Sequence, residues 1–238
     1  MLGGENAIAR LGRDLDVVAA ANQVDPELLR RMLRSDASLR VTDRGRLVYV
    51  EPTATGPETD AAGFGPSGPE ALGPVAPPSA FPADQTFHLH SRPGSKRRIY
   101  LDFDGYLMAD TPWSFGGDCF ASAADRDGDP TTFSASELAW AQDVFLRVAE
   151  DFSAFEVDVT TEDPPLEVID RTGYGDDVYG TRLVLTSSRG LCPNGKTVQQ
   201  TVCPSGCGGM ASHSSFDLPY SHESWQPNLV FTGSVGNG

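Results

Sequence analysis

No stretch of the 238-residue chain approaches the eighteen or so consecutive apolar residues of a membrane-spanning helix, and Met1 to Arg13 lacks the apolar core of a signal peptide. On these two absences alone the chain reads as cytoplasmic, with no membrane span. Positive charge is also scarce: Lys+Arg 18 against Asp+Glu 33 gives −15, and between Tyr100 and Tyr179 three basic residues face 19 acidic ones. Such a surface repels phosphate backbones, which argues against nucleic acid as a partner and in favour of a hard cation. Cysteine is missing before Cys119. The four that follow, Cys119, Cys192, Cys203 and Cys207, are even in number, and three of them lie in a Gly/Pro-rich loop. Loops of this kind are stapled by disulfides in exported proteins, so all four are expected to be paired and the chain to be secreted. The spacing C-x10-C-x3-C lacks the C-x2-C knuckles of a zinc ribbon.

The usual catalytic signatures are incomplete. His222-Glu223 opens an H-E-x-x-H pattern, but position 226 is Gln, and Pro227 forbids the helix that would bring two histidines together. His88-x-His90 can chelate a metal only if both rings point one way on a strand. No nucleophile elbow and no phosphate-binding glycine loop occurs. Asp102-Phe-Asp104-Gly105, two carboxylates at the end of a short apolar strand, is similar to the first motif of haloacid-dehalogenase-type phosphatases, with one acid as nucleophile and the other as acid/base. Tyr106 departs from that pattern, and no lysine lies between Lys96 and Lys196. Asp125, Asp127 and Asp129 alternate around a glycine as in the first half of a Ca²⁺ loop, but the closing glutamate is missing: Ser136 holds its position, and Glu137 is one step late.

What the chain does have is well punctuated. At 39% hydrophobic it can bury one ordinary core and a small second unit. Ser134 and Glu137 form a capping box, stapled by Phe133 and Leu138. Behind them Leu138, Ala141, Phe145, Val148 and Phe152 mark one helical face, with Gln142, Arg147 and Glu150 elsewhere. Val157 and Val159 then alternate with Glu156, Asp158 and Thr160, as in a strand with one buried face. Helix followed by strand points to an α/β layer. Residues 1–51 read as a separate unit: a stripe of Ile8, Leu11, Leu15 and Val18, a second helix started by Asp25-Pro26-Glu27, and a hairpin turning at Asp43-Arg44-Gly45. From Pro52 to Pro82, eight prolines and five glycines make a linker, assigned to residues 52–86. Further strands are expected at Ile99 to Phe103, Thr181 to Thr186, Cys207 to Ser212 and Asn228 to Thr232. The last ends in Val235-Gly-Asn-Gly, which looks unfinished.

Taken in order and at their spacings, FHLHSRPGSKRRIYLDFDG, DRDGDPTTFSASE, RVAEDFSAFEVDVTTEDP, YGTRLVLT, CGGMA and NLVFTGSVGNG resemble the catalytic domain of secreted bacterial zinc metallopeptidases of the metzincin, reprolysin-like kind. The likeness covers residues 87–238, and residues 1–51 resemble a propeptide. It implies a twisted mixed sheet of about five strands with one major helix packed on it. Its antiparallel edge, at Gly208, Gly209, Met210 and Ala211, would pair with a peptide or protein substrate. It also implies a monomer and a zinc helix bearing H-E-x-x-H, a pattern that residues 1–238 do not contain. The expectation is therefore the N-terminal part of a metalloendopeptidase, ending before that helix and inactive by itself. Asp125, Asp127 and Asp129 would be a calcium clip. The other reading is a non-catalytic acidic domain that binds Ca²⁺ or a partner.

Overall fold

The computed structural model describes residues 1–53, 79–111, 113, 117–187 and 190–233. Most of the linker expected over 52–86, namely 54–78, and the terminal Val235-Gly-Asn-Gly lie outside the described residues.

The N-terminal unit runs β1 (Leu2–Gly3), α1 (Gly4–Leu11), α2 (Leu15–Ala21), α3 (Pro26–Ser35), β2 (Leu39–Val41) and β3 (Leu47–Glu51). The stripe over Ile8 to Val18 is two helices rather than one. Gly12 takes a φ of 52°, which α-helical geometry does not allow, and a short 3₁₀ turn over Gly12–Asp14 separates them. α3 starts as the sequence dictates: the Asp25 carboxylate accepts from Glu27 N and Leu28 N, and Pro26 fills the first position. The inner faces of these elements close a core of their own, from Ala7, Leu15, Leu29, Leu33, Leu39, Val41 and Leu47.

The remaining elements are β4 (Arg97–Asp102), β5 (Tyr106–Met108), β6 (Cys119–Ala121), α4 (Ala135–Asp151), β7 (Asp158–Thr160), β8 (Tyr179–Thr186), α5 (Val198–Val202), β9 (Gly209–Ser212) and β10 (Asn228–Phe231). Together the two units form one mixed sheet in the order β1-β2-β3-β9-β10-β8-β4-β7; β5 and β6 make a separate ribbon. β10, β8, β4 and β7 are parallel, and every pair from β10 to β1 is antiparallel. The expected count of about five strands becomes eight, because the strands of the N-terminal unit continue the sheet beyond β9.

α4 packs on this sheet as its sequence predicts. Ala141 and Phe145 meet Ile99, Leu101, Phe103, Val159 and Leu185, and the capping box between Ser134 and Glu137 is formed. Two polar expectations fail for one reason, cover by neighbouring loops. Gln142, placed off the apolar face, is fully buried, bonding to Phe81 and Thr86 in the segment that enters the domain. Asp158 and Thr160, expected to face water, are buried where Leu89 to Arg92 lie along the outer edge of β7: Ser91 N donates to Val159 O, and Arg92 N to Asp158 Oδ1. Among the described residues no helix is long and apolar enough to cross a membrane.

Candidate functional site

β9 lies where antiparallel pairing begins, and it is very short of space on one side. A Cβ built on Gly209 would come within 2.7 Å of Leu229 O on β10, so only glycine lets the two backbones meet. On its other side β9 was expected to present a free edge. That expectation is corrected: β3 covers it. Val48 pairs with Ser212, Tyr49 with Ala211, Val50 with Met210 and Glu51 with Gly209. The ladder runs past the strand ends, since Gly208 N donates to Glu51 O at 2.8 Å and His213 N to Leu47 O at 3.0 Å. Gly208, Gly209, Met210 and Ala211 thus do receive an extended chain, and that chain is the protein's own.

The two faces of β3 are buried in different places. Leu47 and Tyr49 belong to the N-terminal core, while Val48 and Val50 pack with Met108, Trp113, Val184, Met210 and Leu229. Flanking contacts add to the seam: the Arg46 guanidinium stacks 4.3 Å from the Trp225 ring centroid, and the Tyr49 and His213 rings lie 5.6 Å apart.

The acidic turn before α4 is built differently from the Asp125, Asp127, Asp129 set. Carboxylate oxygens of Asp125, Asp127 and Glu137 lie within 4.8 Å of one another, and Asp125 and Glu137 are buried. Asp129 instead closes its own turn, accepting from Thr131 N, Thr131 Oγ1 and Thr132 Oγ1, bonds that hold its carboxyl below the ordinary range. Glu137 has two tasks. Its Oε2 accepts from Ser134 N, and its Oε1 accepts from Arg126 N at 2.7 Å. Three carboxylates and no nitrogen or sulfur donor suit a hard cation such as Ca²⁺.

Zinc does not fit the residues present. Both ring nitrogens of His90 are engaged, Nδ1 with Asp158 Oδ2 at 2.7 Å and Nε2 with Glu162 Oε2 at 2.9 Å, so the His88-x-His90 pair is not a chelate. His222 is buried with Nε2 on Phe216 O. Among the described residues the Asp125, Asp127, Glu137 group is the sole cluster of three metal-type ligands.

Asp102 is fully buried at the end of β4 and bonds Arg182 Nη1 through Oδ2. Arg182 also reaches Asp163 at 2.9 Å and lies between the rings of Tyr100 and Tyr106. Burial pushes the Asp102 carboxyl up to about 7, with Arg182 pulling it part of the way back. A carboxylate enclosed in this way has no path to a phosphoryl group, so the Asp102/Asp104 pair is not placed as a nucleophile and its acid/base partner. Of the four cysteines, Cys119 and Cys192 are bonded and join β6 to the loop after β8; Cys203 and Cys207 are buried free thiols, which corrects the expected second disulfide.

No protein-family model, curated protein or solved structure matches this chain.

Proposed function

We propose that residues 79–233 are the substrate-docking part of a secreted zinc-dependent metalloendopeptidase, receiving an extended peptide or protein chain along β9. The observation that supports this reading is the β3–β9 ladder, in which β9 accepts four residues of extended backbone in antiparallel register. In that role β9 supplies backbone donors and acceptors, and Gly209 keeps the strand close against β10. Residues 1–238 contain no H-E-x-x-H pattern, and in this reading they bind and orient without cleaving. The competing reading, a non-catalytic acidic domain, is favoured by the Asp125, Asp127, Glu137 group, and Ca²⁺ there is compatible with either. The haloacid-dehalogenase-type reading is set aside because Asp102 is enclosed on Arg182.

The test is hydrolysis of azocasein. Residues 1–238 are expected to give none, with or without EDTA. If the reading frame continues past codon 238 into H-E-x-x-H, that longer polypeptide is expected to show EDTA-sensitive cleavage, and a stop codon at that point would leave the binding domain. An extended polypeptide that folds, carries that motif and cleaves nothing would sink the peptidase reading and leave the binding domain.

A further inference from the structure

We propose that the cavity beside Arg182, on the sheet face opposite α4, binds an alkylguanidinium, with Glu223 and Asp163 taking the cation and the Pro164-Pro165-Leu166 segment taking the stem. Strand alternation puts a polar row on that face. Ile99 and Leu101 of β4 turn to α4, so Tyr100 and Asp102 turn away from it, and Arg182 joins them from β8, where it pairs with Tyr100. A parallel sheet is ordinarily covered by helices on both faces. Over Arg182 the cover is instead a short turn at Leu166–Val168, the start of β5 at Tyr106 and a second turn at Glu223–Trp225. These leave a cavity of about 300 Å³, lined by Tyr106, residues 163–166, Ile169, Arg182 and Glu223 among others. Its volume falls at the lower end of small-ligand sites, and no residue of β9 lines it, so it stands apart from the docking strand above.

Charge in the cavity is unbalanced. Of its lining residues Arg182 alone is cationic, and that guanidinium is already committed, Nη1 to Asp102 and Nη2 to Asp163. Glu223 adds a further carboxylate. Its backbone N–H donates to Asp170 Oδ1 at 2.9 Å, which fixes the turn, while its side chain meets no donor among the described residues. One guanidinium therefore faces three carboxyl groups. The Tyr106 phenol registers the imbalance: burial raises it, and Glu223, Asp102 and Asp163 add to the rise against the pull of Arg182. A second cation answers the excess. The form that suits the walls is a guanidinium on an alkyl stem, because its planar fork matches carboxylate oxygens and it sheds water more readily than an ammonium. Leu166 is 54% exposed and, with the two prolines and Ile169, has apolar surface left for methylene groups to cover. A bare metal ion would leave that surface unused. A free small molecule and an arginine side chain of a polypeptide both carry this chemistry.

The probe is n-butylguanidinium, titrated into the isotope-labelled full-length chain and followed by backbone amide shifts. Saturable shifts are expected at Leu166, Ile169 and Gln226. n-Butylurea, a neutral analogue of nearly the same shape, should bind at least about tenfold more weakly, since it loses every charged contact. Glu223→Gln, which breaks no side-chain bond of the folded chain, should weaken the cation at least about threefold, the scale of an exposed ion pair. Asp151→Asn, at an exposed acid closing α4, should leave it unchanged. Equal weakening by the two substitutions would overturn the inference, because it would mean a diffuse attraction to the acidic surface. So would butylurea binding as well as the cation, or shifts that fall outside the cavity. The pentapeptide acetyl-Gly-Gly-Arg-Gly-Gly-amide separates the two sources: binding no weaker than that of n-butylguanidinium assigns the site to arginine in a polypeptide, and weaker binding assigns it to a free guanidino compound.

Discussion

Glu137 Oε1 accepts the Arg126 backbone N–H at 2.7 Å, so one carboxylate ties the start of α4 to the acidic turn eleven residues upstream. The same side chain completes the capping box with Ser134. Ser134→Ala removes one cap bond and is expected to cost about 1 kcal/mol in urea unfolding. Glu137→Ala also strands the Arg126 donor and is expected to cost about 2–3 kcal/mol. Equal losses in the two variants would show that the Arg126 bond contributes nothing.

Calcium is best tested at Asp127, the exposed member of the carboxylate group. If Ca²⁺ binds there, calorimetry detects it at millimolar levels or below, and at ten times Kd the ion adds about 1.4 kcal/mol of stability. Asp127→Asn is expected to abolish that increment while leaving the calcium-free melting temperature nearly unchanged, because an amide oxygen still accepts from Asp129 N. A wild-type melting temperature that ignores calcium would remove the ion from the account.

The elements most legible in the sequence were those whose signals are local. α4 was announced by its cap and its three-and-four spacing, and β4, β8 and β10 by short apolar runs. The β3–β9 pairing was not, because it joins Val48 to Ser212 across most of the chain and no short-range rule links them. One signal was available: Leu47 to Val50 is a continuous apolar run, the mark of a strand buried on both faces rather than a hairpin edge. By spacing Glu137 falls one step late for a Ca²⁺ loop and is taken up by the capping box, although a carboxylate has two oxygens and here they point to different partners. Gln142 and Asp158 illustrate another limit. Periodicity reports the face an element turns to its sheet, but not the loops that later cover its other side.

Native protein should show no thiol reacting quickly with Ellman's reagent, since Cys203 and Cys207 are buried, and denatured, unreduced protein should show two. Four thiols, or none, would contradict the pairing. Cys119–Cys192 closes a separation of 73 residues, so Cys119→Ser is expected to cost roughly 4 kcal/mol if chain entropy governs.

Asp102 and Arg182 give the chain a pH dependence opposite to that of an ordinary surface carboxylate. Burial raises the Asp102 carboxyl from its usual 3.8 to about 7, so between those values the folded state holds a proton that the unfolded chain has lost. Stability from this residue is therefore present at low pH, falls as pH rises through the interval, and levels off above about 7. Relative to wild type, Asp102→Asn should show a flatter unfolding profile between pH 4 and 7, because the amide does not titrate. The cost of losing Arg182 should follow the same curve. Above pH 8 the wild-type Asp102 is ionised against Arg182, and Arg182→Leu forces that carboxylate either to stay charged without its partner or to take up a proton; removing one partner of a buried pair in this way costs about 3–5 kcal/mol. At pH 5 Asp102 is neutral, and the same substitution should cost distinctly less. Paired urea titrations of Arg182→Leu and wild type at the two pH values decide the matter: an equal loss at both would mean that Asp102 is already ionised at pH 5.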